Sequence, residues 1–525
     1  MTIAHARFIT TFLMFTTCGM LTRDPCHAQD DGAEYFHMVR AYADGMIEHG
    51  RDRYGDRYSP AFVATLDLRK VTMPSKTSDS TRQMYSTFFR AEDYSTSVNP
   101  MYHIDLYQLL DALTVLTGDP KYRQAGRESI EWFFKNTQSP ATGLMPWGEH
   151  LAWDLIDDKI TVGTVRDGKL QVSDTHEFYG PWLHWNTTCE VAPKAAQRFA
   201  IGLWEHQIYD HETCDFSRHA RYSKDGPRRG YEFARQAGFY LDTWASVYES
   251  TGDPELLDAI KRFVASWERR QNPKTGLLPF EGSSPDVAFV LHNLAFAVDG
   301  WNAATKLPEP LAERLKTLIR SVDDAVLKLE TDLATDGKGF PKIADANTGE
   351  VTNRSMAKAR PNYTQEFIDQ RYSPYGGLWA SVYGAGSYTD ARHALLCYYR
   401  FEQTGRNKYR DLVLATADRY VGSEPKAVGG TLTPKTLAPV MALLHGAWHL
   451  SQDAKYVKAS RRLAEVARKK LFENGVVFPF ATAQRDKYPY YASISYGDSL
   501  MLEFLQLALI LQGRDDAVSL QCSIR

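Results

Sequence analysis

The sequence lacks any large excess of charge: 61 Lys and Arg stand against 64 Asp and Glu, a formal net charge of −3. That excludes the strongly basic class that binds nucleic acid through its phosphates. Cysteine is scarce, six in 525 residues, and no spacing matches a zinc motif. Past the N-terminus there is no apolar run of membrane-spanning length. Low-complexity linkers are missing too, so the expectation is a single domain over residues 29–525, with no membrane span and no nucleic-acid partner. Sustained period-two alternation, which strands need, is also nearly missing.

The apolar stretch at the N-terminus runs from Phe8 to Leu21 behind Arg7 and gives way to "CHAQ". Small Ala28 suits the position before a cleavage site, so residues 1–28 read as a signal peptide and the chain as exported, periplasmic or secreted. Four cysteines would remain: Cys189, Cys214, Cys397 and Cys522. In an oxidising compartment Cys189 and Cys214 either pair or stay as buried thiols.

What the sequence does have is a repeat. "TGDPKYRQAGRESIEWFFKNTQSPATGLMPW" ends at Trp147, and "TGDPELLDAIKRFVASWERRQNPKTGLLPF" ends at Phe280. Fainter copies follow in "YYRFEQTGRNKYRDLVLATADRY" and "WHLSQDAKYVKASRRLAEVARKKLFENGVVFPF". Each unit reads as a helix, a tight turn, a second helix and a Gly/Pro-rich exit. Leu106, Leu109, Leu110 and Leu113 share one helical face, as do Leu241, Trp244, Ala245 and Tyr248, and Ile260, Phe263, Val264 and Trp267. Gly118 and Gly252 stand where a helix ends, with Pro120 and Pro254 suited to starting the next. Such hairpins must stack to bury their apolar stripes. The expected fold is all-α, a toroid or α/α barrel of helical hairpins, an open solenoid being the alternative. "TMPSKTSDSTR", from Thr72 to Arg82, reads as a long surface loop.

Where the copies disagree, function is the better explanation. The first exit turn continues "WGEH", the second "FEGS", so Glu149 and His150 are additions to a structural turn. A loop-rich insertion from about Leu151 to Arg235 separates the two strong copies; it holds "SDTHEFYGPWLHW" and "TCDFSRHARY". His150, Glu177 and His219 are candidate ligands, because two neutral imidazoles and a carboxylate suit a divalent transition metal with positions left open. Arg218 and Arg221 beside them would make a pocket for a carboxylate-bearing ligand. Together with export, this points to an acidic polysaccharide or oligosaccharide as substrate.

"HGRDRYG" at residues 49–55, "LTGDPKY", "TGLMPWGEH" and "DFSRHARY" occur in an order and spacing similar to those of the family 2 polysaccharide lyases, pectate lyases with an α/α-barrel fold. The likeness is dense between Glu48 and Lys274. It implies a metal, typically manganese, with other divalent transition metals or calcium as alternatives. It also implies His150, Glu177 and His219 as ligands and Arg218 as catalytic base, with an alkaline optimum because guanidinium holds its proton tightly. The implied reaction is β-elimination along pectate to 4,5-unsaturated products. Arg221 and Arg229 are expected as substrate clamps or surface charges. Glu149 stands beside a ligand where a second glycine is expected; its carboxylate either adjusts the metal, meets the substrate or points away. Arg51, Asp52 and Arg53 are expected to be structural. Two rivals are a hydrolase, with Asp154 or Asp242 as acid, and a saccharide-binding protein without catalysis.

Overall fold

The computed structural model describes residues 25–89, 91–161, 163–166, 169–226, 230–329, 339–379, 389–426 and 431–523. Its ring is carried by fourteen helices. The chain runs α1 (Pro25–His49), α2 (Ile104–Thr117), α3 (Lys121–Asn136), α4 (Trp185–Val191), α5 (Pro193–Gln207), α6 (Ala234–Thr251) and α7 (Pro254–Arg270). It continues α8 (Val290–Ala304), α9 (Leu311–Leu329), α10 (Asp390–Thr404), α11 (Asn407–Val421), α12 (Pro434–Ser451), α13 (Ala454–Leu471) and α14 (Gly497–Leu511). Even-numbered helices line the inside, and each following odd-numbered helix packs outside its partner.

The ring closes. α6 packs on α8, α8 on α10, α10 on α12, α12 on α14 and α14 on α2. Between α2 and α4 the ring is joined by Tyr107, which meets Trp182 and His184 edge-on, and by a 2.8 Å hydrogen bond from His184 to the Ile104 carbonyl. α1 lies along α14, so the first and last helices form the seventh pair. Asp498 ties this seam, accepting from Tyr42 and Tyr491 and lying 2.8 Å from His103 Nδ1.

The predicted stripes are the buried faces of α2, α6 and α7, and most tryptophans are core: Trp147, Trp182, Trp244 and Trp267 are fully buried. Gly118 and Gly252 end α2 and α6 with φ of +74° and +67°. Pro120 precedes α3 and Pro254 opens α7, whose amides Asp253 caps. Arg51 pairs with Glu128 at 3.0 Å and Asp52 accepts from Tyr54 and Ser59, so "HGRDRYG" is structural.

Two expectations change, and one open alternative is decided. The insertion is not all loop, because Trp185–Gln207 is itself a hairpin, α4 and α5, and completes the ring. The stretch from Thr72 to Arg82 is only partly loop: Ser78 caps a short helix, Asp79–Met84. Cys189 and Cys214 do not pair; both are buried free thiols, like Cys397 and Cys522. Residues 1–24 of the expected signal peptide lie outside the described residues, among which no helix is long and apolar enough to cross a membrane.

In six of the seven pairs a short turn joins the inner helix to its outer partner at one end of the ring; α14 and α1, the last and first helices, pair without one. The long connections lie at the other end, where the inner helices begin. None of the seven inner helices has a side-chain N-cap. Their first-turn amides and the positive ends of their dipoles therefore converge on one opening, which favours anions.

Candidate metal centre

The site is built at that opening by a two-stranded ribbon, β1 (Thr175–Glu177) and β2 (His219–Arg221), paired antiparallel. Glu177 stands directly opposite His219, which puts both side chains on one face. The other face carries His176 and Ala220, fully buried. Trp147 donates to His176 Nε2 at 3.2 Å, and burial drives the His176 pKa down to about 3, so this imidazole is neutral core. "THE" and "HAR" thus alternate between core and site as strands require.

His150 arrives from the repeat's exit turn. Gly148 has φ +95°, and a Cβ there would collide with the Glu177 carbonyl, so only glycine lets this turn lie against β1. Asn99 Nδ2 donates to the Gly148 carbonyl at 2.9 Å, and the Tyr94 hydroxyl donates to the carbonyl of Glu149. The loop is therefore pinned from the segment before α2.

The result is a compact donor set. His150 Nε2 is 3.5 Å and His219 Nε2 3.4 Å from Glu177 Oε2. Ligating atoms of all three residues lie within 4.8 Å of one another. Glu177 is completely buried, yet among the described residues both its carboxylate oxygens and His219 Nε2 have no hydrogen bond. Buried charged atoms that lack hydrogen bonds are costly. Two imidazole nitrogens and a carboxylate facing one point fit a divalent cation, and the nitrogen donors favour a transition metal over calcium. Burial pushes the Glu177 carboxyl up, but His219, Arg218 and His150 outweigh it and hold it below the usual carboxylate range.

Arg218 immediately precedes β2. Its guanidinium lies 3.6 Å from Glu177 Oε1 and stacks over Phe233 at 4.9 Å. Arg221, opposite Thr175, is half-buried on the ligand face of the ribbon and makes no hydrogen bond or ion pair among the described residues. Glu149 is half-buried; burial and the Glu177 charge raise its pKa. Arg229 lies outside the described residues.

Sequence reasoning missed Glu92, whose Oε1 is 3.6 Å from His150 Nδ1. A carboxylate there orients the imidazole so that Nε2 faces Glu177. It sits in a segment with no counterpart in the other repeats, so no internal comparison could reveal it. The hydrolase candidates have structural partners instead. Asp242 pairs with Lys306 at 2.7 Å, and Asp154 accepts from Thr96 and the amides of Ile156 and Asp157.

Fold and site together define a closed helical toroid with a two-histidine, one-carboxylate centre at the opening where its inner helices begin. Residues 93–240, which span that centre, match the family of periplasmic pectate lyases. A pectate disaccharide-lyase of Dickeya dadantii is 25% identical over 201 residues, 34% of this chain and 36% of that protein. The matched stretch thus spans about a third of that relative's length. Among solved structures, a D-mannose isomerase aligns over 90% of this chain and 97% of its own at 12% identity, with a TM-score of 0.47. A GH76 α-mannanase of Bacteroides thetaiotaomicron aligns over 93% and 99% at 7% identity, with a TM-score of 0.43. An unsaturated glucuronyl hydrolase specific for heparin aligns over 74% and 96% at 13% identity, with a TM-score of 0.40.

Proposed function

We propose that the chain is an exported, metal-dependent polysaccharide lyase that cleaves an acidic polysaccharide, pectate foremost, by β-elimination. The observation that carries this reading is the buried Glu177 carboxylate, bare of hydrogen bonds, facing His150, His219 and Arg218. The match of residues 93–240 to periplasmic pectate lyases supports it.

His150, Glu177 and His219 would hold the metal, manganese foremost. When bound, such an ion supplies a Lewis acid for the uronate carboxylate and acidifies the proton on the adjacent C5. Arg218 takes that proton. The C5–H electrons form the C4–C5 double bond, the C4–oxygen bond breaks, and the leaving oxygen takes a proton from water. Arg221 holds a carboxylate of the bound chain. Glu92 fixes the His150 ring, and Phe233 supports the Arg218 guanidinium. Because Arg218 must give up a proton to act, the rate rises towards alkaline pH.

Mass spectrometry of products from polygalacturonate tests the reading. The lyase yields oligomers lighter by one water than hydrolysis products. Products of hydrolytic mass would overturn it in favour of a hydrolase, and an unchanged polymer, across a panel of uronans, in favour of binding alone.

A further inference from the structure

The metal centre occupies one side of the opening. Around the same opening, three cations stand in the first turns of three inner helices: Arg235 on α6, Arg392 on α10 and Lys435 on α12. The residues that begin these helices, Phe233, Thr389 and Thr433, provide no side-chain cap. Each cation therefore adds to an exposed helix dipole of the same sign.

Lys435 is only 9% exposed, although lysine is almost never buried without a partner. Its ammonium stands 4.9 Å above the Tyr496 ring, with no acid at ion-pair distance among the described residues. Arg235 lies over Tyr179 at 5.5 Å and Phe239 at 5.9 Å; its Nε is buried without a hydrogen bond, and it too has no ion pair among the described residues. Arg392 and Arg235 both act on the phenol of Tyr496, the ring that Lys435 overlies, so the three cations share one space.

We propose that Lys435, Arg235 and Arg392, with Tyr179 and Tyr496, form a second anion subsite that holds the carboxylate of a neighbouring uronate in the same chain. This rests on the function proposed above and adds to it a requirement for a second charged sugar. Two tyrosine rings beside cations suit a sugar that presents an apolar face and a carboxylate edge. Burial, followed by Arg392, lowers the Lys435 pKa to about 7; a carboxylate ligand would supply the countercharge that the fold leaves out.

The test is direct binding, read without turnover. Calorimetry on the EDTA-treated full chain would use saturated triuronate, its methyl-esterified form and the monouronate. Triuronate is expected to bind at least about ten times more tightly than either comparator, a difference of about 1.4 kcal/mol. Lys435→Met, which keeps the aliphatic stem, should remove most of that preference, and Lys435→Arg should retain it. Arg235→Gln is the independent second variant and should weaken triuronate about tenfold as well, should Lys435→Met fold poorly. Equal binding of triuronate and its ester by the unmodified chain would overturn the subsite, as would an unchanged preference in a folded variant. If the chain cleaves no uronan yet shows the Lys435-dependent preference, the lyase reading falls and the subsite stands.

Discussion

On the proposed reading Glu177 is the residue on which the chemistry turns, because the fold buries its carboxylate and gives it no hydrogen bond among the described residues. Glu177→Gln keeps the shape and removes the charge; it should weaken manganese binding by at least ~100-fold, read by calorimetry, while the thermal midpoint of the metal-free protein changes little. Glu92→Gln acts through His150 and should weaken the metal ~10-fold, the lower end of what a ligand-orienting group contributes. Arg218→Ala should lower kcat on pectate by ~10²–10⁴, the usual worth of a positioned base, with metal content unchanged. If Arg218 were only a clamp, KM would rise and kcat would hold. Away from the site, His393 is fully buried and neutral, its pKa lowered by burial to about 4. The unfolded imidazole takes up a proton near its ordinary pKa of about 6.5 and the folded one does not. Stability is therefore lost as pH falls from that value towards about 4. His393→Gln should flatten this part of the curve of melting temperature against pH.

At the scale of elements, the exit turn and the ribbon form a single unit. Gly148→Ala forces the turn away from Glu177 and should abolish metal binding without touching a ligand, whereas Gly118→Ala, at a helix end with open space around it, should cost only about 1–2 kcal/mol, the penalty of an L residue in the left-handed region. The recurring hairpins were legible because each copy carries the same two punctuation marks, a turn after the inner helix and a Gly/Pro exit after the outer. The α4–α5 pair was not legible as a repeat. α4 is seven residues long and reaches α5 through Ala192 and Pro193, without the TGDP turn. His150, Glu177 and His219, which the fold brings together, could be singled out because they interrupt or interleave with that pattern. Glu92 was missed because nothing repeats around it. Arg235, Arg392 and Lys435 were missed for another reason: each lies near the start of its own helix, and only ring closure brings them together.

For the whole molecule, closure is the condition for cations on α6, α10 and α12 to meet at the opening that holds the His150, Glu177 and His219 cluster. Asp498 joins α14 to Tyr42 on α1 and to His103 just before α2. Asp498→Ala leaves these buried partners unmatched and should cost about 3 kcal/mol or more, seen as a lower melting temperature. The central claim is that the centre formed by His150, Glu177 and His219 makes the toroid a metal-dependent lyase. The most direct measurement strips the protein with EDTA and returns manganese stepwise. At each step, bound metal and the ultraviolet absorbance of unsaturated uronate released from polygalacturonate at alkaline pH are followed together. The account predicts no release from the stripped protein and a rate that climbs in proportion to bound metal, saturating at one ion per chain. Undiminished release from protein free of metal would contradict it.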